Sequence, residues 1–278
     1  MDSLRAFENS EPEDTELFKH QTLFKDFNMD EFQNDRKSNS SFHFNLPEEL
    51  KAKGVVISSL DEVKENPQFK QSLISNSKIG DKFLHMNNAM FASGLYIYVP
   101  KGIEIEEPIR LTTNIDSNLI SKAVLVLDSN SKLNVIKEDY SKGDNSPVLY
   151  SDCIEVLIKD GAELHLSHLQ NLGQNVVHLA NKIGTCHRDS KILWNIGYFG
   201  GKKVRSRVHS ILLGEGSEAE DVEVAFGNNE QKFDVYSTLL HTGKNTTGRV
   251  LNNCVLKDKA VSIIKGMIKI SEGAKNSN

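Results

Sequence analysis

Short runs of alternating polar and apolar residues, each opened by a turn of small residues, recur along this chain at a nearly constant interval. In the clearest run, Val204, Ser206, Val208, Ser210 and Leu212 fall on one side and Arg205, Arg207 and His209 on the other. Further on, Val222, Val224 and Phe226 alternate with Asp221, Glu223 and Ala225. Successive side chains of a strand point to opposite faces, so one set of each pair is expected inside and the other in water. The turn-and-strand units are DSNSKLNVI at 128–136, KDGAELHLS at 159–167, HRDSKILWN at 187–195, GEGSEAEDVEV at 214–224 and LKDKAVSII at 256–264. With Ser131, Ala162, Ser190 and Ala219 as equivalents, the spacings are about 31, 28 and 29 residues. Repeats of this length, made of strands and tight turns, predict the stacked coils of a β-solenoid. Ala260, the next equivalent, lies about 41 residues on, which implies an insertion in that coil or a different register. A β-sandwich also uses short alternating strands, but the regular spacing favours the solenoid.

Composition fits an elongated core. Hydrophobic residues make up 38% of the 278 and mean hydropathy is −0.40, low for a compact globule and suited to a narrow core wrapped in exposed strand faces. The net charge of −5 comes from 33 basic and 38 acidic residues mixed along the chain, leaving no basic stripe for nucleic acid. Apolar runs fall short of the ~18 residues that span a bilayer, and the polar, acidic N-terminus does not read as a signal peptide. Three widely spaced cysteines argue against a disulfide framework and for a reducing, cytoplasmic setting.

The first part of the chain has another texture. Ser10-Glu-Pro-Glu13 predicts a helix start, and the polar stretch from Asn34 to Ser41 predicts a loop. Pro47-Glu-Glu-Leu opens a short helical turn, Gly54 to Ile57 reads as a strand, and Ser59-Leu-Asp-Glu62 as a second capping pattern leading a helix through Val63. Residues 1–80 are thus read as an α+β module and residues 81–278 as the β-helical core. That core opens with the strand Leu95 to Val99 and the turn Pro100-Lys-Gly102, where proline fixes φ and glycine accepts positive φ.

Two stretches, GVVISSLDEVKENP and DKFLHMNNAMFASGLYIYVPKGIEIEEPIRL, resemble the SufB/SufD family of iron–sulfur cluster assembly proteins. So do GAELHLSHLQNLGQNVVHL and the run from GEGSEAEDVEVAFG to VSIIKGMIKI, while SEPEDTELFKHQTLFKDFNMDEF is similar to the opening of SufD-like members. The resemblance covers nearly the whole chain. It implies a β-helical, non-enzymatic scaffold subunit that pairs with a SufB/SufD-type subunit, as homodimer or heterodimer. It further implies a SufC-type ABC ATPase as partner, whose nucleotide cycle remodels the pair while a nascent iron–sulfur cluster is held transiently. Family members run on past the stretch matched by SEGAKNSN into further strands, an SHG-containing stretch and a helical domain that docks the ATPase. Asn278 ends this sequence before them, either as a fragment or as a shortened member of the family, so ATPase docking is not expected of these 278 residues.

Candidate ligands are few. His165 and His168 look like a metal pair, but positions i and i+3 of a strand face opposite sides, so His168 is expected inside with Leu164 and Leu166, and His165 outside. Cys186 and His187 are adjacent and diverge. Cys254 lies among apolar residues, where a small buried hydrophobe is the ordinary role. Cysteines on stacked coils can nevertheless converge within the tube, and thiolates are the usual iron–sulfur ligands. Cys153, Cys186, Cys254 and His168 are therefore the metal candidates, with no catalytic residue assigned. Arg205, Arg207 and His209 are expected to meet Asp221 and Glu223 in a solvated ladder, Trp194 and Tyr198 to pack in the core or at its edge, and Asn171, Asn175, Asn228 and Asn229 to serve tight turns. Gly200-Gly201-Lys202 lacks the remainder of a phosphate loop. Two rival readings are a β-helical carbohydrate-active enzyme of the polysaccharide-lyase kind, with acids and bases along an outer groove, and a structural solenoid without cofactor.

Overall fold

The computed structural model describes residues 22–32, 42–44, 46–63, 81–142 and 146–278. In chain order the first elements are a 3-10 turn at Met29–Phe32, strand β1 (Phe42–Phe44), helix α1 (Glu48–Ala52), β2 (Val56–Ser59) and helix α2 (Lys82–Met90). Next come β3 (Ser93–Val99), β4 (Glu104–Asn114), β5 (Leu119–Leu127), β6 (Lys132–Tyr140), β7 (Val148–Ile158) and β8 (Glu163–Asn171). The remainder are β9 (Val176–Cys186), β10 (Lys191–Tyr198), β11 (Lys203–Leu212), β12 (Glu218–Gly227), β13 (Lys232–His241), β14 (Thr247–Leu256) and β15 (Val261–Ile270). No described helix is long and apolar enough to cross a membrane.

Strands from β3 onward alternate between two parallel sheets. One runs β1-β4-β6-β8-β10-β12-β14, the other β15-β13-β11-β9-β7-β5-β3-β2, with β1 and β2 added antiparallel at the edges. Each coil contributes one strand to each sheet, and about six coils stack into a β-solenoid. The core lies between the sheets and includes Leu95, Leu125, Leu133, Val156, Leu164, Ile192, Val204 and Leu239. Trp194 and Tyr198, expected to pack in the core or at its edge, are fully buried there.

The repeat is set by backbone conformation at one turn of every coil. Gly102, Asn130, Gly161, Asp189, Gly216, Asn245 and Asn276 all have positive φ, between 54° and 71°. Glycine accepts that conformation freely and Asn and Asp tolerate it. Their N–H groups donate to the next coil, Asn130 to Asp160, Gly161 to Arg188 and Asp189 to Glu215, at 2.8–2.9 Å. After Asn130, Gly161, Asp189, Gly216 and Asn245 the small residue that follows is buried, and the hydroxyls of Ser131, Ser190 and Ser217 donate back across the turn at 2.6–2.8 Å. Lys191 pairs with Glu218, so the equivalent of Ser190 is Ser217, two residues before Ala219. Val261 pairs with Lys232, so Ala260 belongs to the opposite turn and no insertion is needed. Among the four asparagines expected to serve left-handed turns, only Asn229 has positive φ.

Residues 24–32 and 60–63 and helix α2 lie across the outer face of the eight-stranded sheet. Phe24, Phe32, Phe83 and Met86 pack on Leu149, Val177 and Leu179, and Leu60 and Val63 pack on Tyr96, Val124 and Leu157. Helix α2 was not legible in the sequence, which reads there as the first coil. It starts at Asp81, whose carboxylate accepts from the N–H groups of Phe83 and Leu84 at 2.9 and 3.0 Å. Its Asn87 amide donates to the Ser121 carbonyl at 2.9 Å and the Ser151 hydroxyl at 3.1 Å.

This cover overturns the expected solvated ladder. Arg205, Arg207 and His209 do point away from the core, but they are 0, 0 and 6% exposed. Arg205 pairs with Asp81, and Arg207 with Asp234 at 3.1 Å. Asp221 and Glu223 take the opposite phase from that expected and lie inside, 1 and 2% exposed, while Val224 and Phe226 face outward. The solvated cross-coil ladder exists on the other sheet, where Lys132–Glu163, Lys191–Glu218 and Arg249–Glu220 approach to 3.4, 3.5 and 3.3 Å. The predicted turn at Pro47 is α1, the strand at Gly54 to Ile57 is β2, and residues 60–63 form a turn. The expected helix at Ser10–Glu13 and loop at 34–41 lie outside the described residues.

Candidate functional site

Inward positions of a solenoid strand are normally apolar, and β6 begins that way with Leu133 and Val135. The next two inward residues are Lys137 and Asp139, 3 and 0% exposed. Opposite them the inward phase of β7 offers Tyr150 and Asp152, that of β8 His168, and that of β9 His178 and Lys182, all 2% exposed or less. Seven polar or titratable side chains thus share the interior of three adjoining coils.

They form one connected group. The Lys137 ammonium donates to Asp139, donates to the Tyr150 hydroxyl at 3.0 Å and lies 3.4 Å from His168 Nε2. Asp139 Oδ2 also accepts from Tyr150 at 2.9 Å and pairs with His168 Nε2 at 2.7 Å. Asp152 Oδ1 pairs with His178 Nε2 at 2.6 Å, and its other oxygen lies 3.9 Å from Lys137 Nζ. The rings of Tyr150 and His178 stack at 4.7 Å between centroids, with an 11° interplanar angle. Lys182 Nζ sits 5.9 Å from the Tyr198 ring centroid.

Electrostatics set the charge states. Burial pushes the Asp139 carboxyl up, but Lys137 and His168 outweigh it and hold it below the usual carboxylate range. Asp152 is lowered in the same way, burial being overcome by Lys182 and Lys137. Burial and the Lys137 charge push His168 down to about 4, so it is neutral at pH 7. Burial and the adjacent carboxylates push the Tyr150 hydroxyl far up. The two carboxylates are therefore ionised and His168 neutral at pH 7, with the Lys137 and Lys182 side chains beside them in a low dielectric.

A second polar knot follows along the axis. Tyr198 donates to Ser206 at 2.5 Å and to Glu223 at 3.1 Å, while Ser206 and Ser237 each donate to Glu223 at 2.8 Å. Asp221 lies beside it, and among the described residues neither carboxyl oxygen has a partner of good hydrogen-bond geometry. Burial and the Glu223 carboxylate push Asp221 well above the usual range.

The residues singled out from sequence are scattered. His168 is inside and belongs to the first group, while His165 is outside, bonded to Glu163 at 2.5 Å. Cys153 faces away from the core, under Leu84 of α2 and beside Ile183. Cys186 lies within the main core, where burial pushes its thiol up to about 12. Cys254, on β14, is partly buried against that core. Cys153 and Cys186 occupy opposite faces of one sheet, and among the described residues no cysteine joins a group of three potential metal ligands. Lys137, Asp139, Asp152, His178 and Lys182 escaped the sequence reading. Their signal is charge in the inward phase, at Leu133-x-Val135-x-Lys137-x-Asp139 and Val176-x-His178-x-Ala180-x-Lys182.

Residues 110–278 match the family model of the SUF system FeS cluster assembly SufBD core domain, and residues 28–111 match that of the SufBD protein N-terminal region. The chain is 28% identical over 244 residues to the iron–sulfur cluster assembly protein SufD of Bacillus subtilis (strain 168), covering 85% of this chain and 56% of that protein. An iron–sulfur cluster assembly SufBD family protein of Staphylococcus haemolyticus is 26% identical over 246 residues, covering 84% of this chain and 52% of its own length. One from Staphylococcus epidermidis (strain ATCC 12228) is 25% identical over the same length. The chain spans about half the length of the curated relatives it matches.

Proposed function

The chain belongs to the SufBD family of iron–sulfur cluster assembly proteins, and from that premise we propose that it is a scaffold subunit of a Suf assembly complex, without turnover of its own. It pairs with a SufB/SufD-type subunit, works with a SufC-type ATPase in the cytoplasm, and meets the nascent cluster as cargo. Residues 1–80 serve in this reading as an α+β module that braces the core of residues 81–278. The observation that carries the proposal is the SufBD core match, which falls on the stacked coils from β4 to β15.

The lyase-like alternative needs unpaired acids and bases in an outer groove. The outward Glu163, Glu218 and Glu220 instead face basic partners on neighbouring coils. The test is size-exclusion chromatography with light scattering of the intact protein mixed with the SufB-type subunit and SufC-type ATPase of the same cell. Co-elution as a stoichiometric complex is expected; a protein that stays monomeric with both present overturns the proposal.

A further inference from the structure

We propose that the interior of the solenoid holds a divalent transition-metal site ligated by Asp139, Asp152 and His178, with Lys137 as the built-in cation that a metal ion displaces. The inference goes beyond the scaffold reading and does not depend on it. One potential donor atom from each of the three side chains lies within 4.8 Å of the other two, and the side chains are 0, 2 and 0% exposed. Metal–oxygen and metal–nitrogen bonds of ~2.0–2.2 Å place donors around one ion roughly 3 to 4.4 Å apart.

A second observation points to a ligand. Asp139 Oδ1, Asp152 Oδ2, His168 Nδ1 and His178 Nδ1 are buried without a hydrogen-bond partner among the described residues. Buried polar atoms are nearly always partnered, and five exceptions occur in this one group, the Lys182 ammonium being the fifth. Asp152 Oδ2 faces the Lys137 ammonium at 3.9 Å, beyond hydrogen-bond reach.

Charge completes the argument. Asp139 and Asp152 supply the two negative charges that one divalent ion needs, while Lys182 stands beside the Tyr198 ring. Lys137 contacts Asp139, Tyr150 and His168 at the point where a cation would sit, and binding of a metal ion there requires its head to withdraw. His168 at 2.7 Å from Asp139 and Tyr150 stacked on His178 would hold two of the ligands in place. Two oxygens and an imidazole nitrogen suit Mn(II), Fe(II), Co(II) or Zn(II) and disfavour Cu(I).

The probe is Co(II), added anaerobically to the intact protein both in the native state and during refolding from urea, because buried ligands load only when a coil opens. After desalting, about one ion per chain is expected, with d–d absorption and an X-ray absorption spectrum showing nitrogen and oxygen donors. Lys137→Gln keeps all three ligands and is expected to bind at least about tenfold tighter, the scale on which neighbouring groups tune metal affinity. Asp152→Asn and His178→Gln are expected to lose binding, while His165→Gln, outside the solenoid, leaves it unchanged. Sulfur scattering in the wild-type spectrum, retention of the ion in folded Asp152→Asn, or no gain in Lys137→Gln overturns the proposal. The spectrum of the wild-type protein decides the matter even where a variant does not fold.

Discussion

Asp81 and Arg205 are 124 residues apart in sequence and form a fully buried ion pair between the start of helix α2 and the outer face of strand β11. The same carboxylate caps the helix through Phe83 and Leu84. One side chain therefore both starts the helix and fastens it to the solenoid. Burial pushes the Asp81 carboxyl up, but Arg205 and Arg207 outweigh that and hold it below its usual range.

Breaking this pair from one side leaves a buried charge with too little compensation. Asp81→Asn is expected to lower unfolding free energy by about 3–5 kcal/mol, read from urea titration. Adding Arg205→Met to it is expected to restore part of the loss, so a double-mutant cycle gives a coupling above ~1 kcal/mol. Additive losses would show that the two residues act separately.

Acid should destabilise the fold in two stages. His168 titrates at about 4 in the folded chain against 6.5 unfolded, so the unfolded state binds more protons between those values and stability falls as pH drops through that window. Asp81, Asp139 and Asp152 are all depressed; their contribution is present above their unfolded values and is lost at lower pH. Thermal midpoints measured from pH 7.5 to 3.5 are expected to fall slowly and then steeply. His168→Gln should flatten only the slow stage; an unchanged slope there would contradict the assignment.

Asp221 has the opposite sign. Its folded-state pKa is raised by burial and by Glu223, so stability is lost as pH rises above the unfolded value. Asp221→Asn is neutral at every pH and is expected to raise stability at pH 7 by about 1–3 kcal/mol. A lowered thermal midpoint at pH 7 would contradict this reading.

Thiol reactivity should separate the cysteines. Cys153 and Cys186 are 1 and 0% exposed, and burial raises both thiols. Cys254 is only partly buried. Iodoacetamide labelling of native protein at pH 8, mapped by mass spectrometry, is expected to modify Cys254 alone, and all three in guanidinium. Fast labelling of Cys186 would mean that the interior is open to solvent.

The solenoid was legible because its periodicity resides in the chain itself, in turn residues such as Asn130, Gly161 and Asp189 that tolerate positive φ. The inside and outside of β8 were legible for the same reason, through His165 and His168. The environment of Arg205 and Arg207 was not, because alternation tells which face a residue occupies but not what covers it. The cover comes from Phe24 and α2, far away in sequence. Asp221 and Glu223 misled the reading because charge ordinarily marks the water side, and here the core is polar. The same expectation hid Lys137, Asp139 and Asp152, whose partners sit on strands about 13 to 31 residues away.

The proposed scaffold role, in which this SufBD chain works in cluster assembly without catalysis of its own, is tested in an anaerobic assay in which an apo-ferredoxin acquires its cluster from iron, a sulfur donor, a SufB-type subunit, a SufC-type ATPase and ATP. Transfer is expected to rise with added chain, to saturate at a fixed ratio to the other subunits, and to be absent with the chain alone. Equal transfer with and without the chain would contradict it.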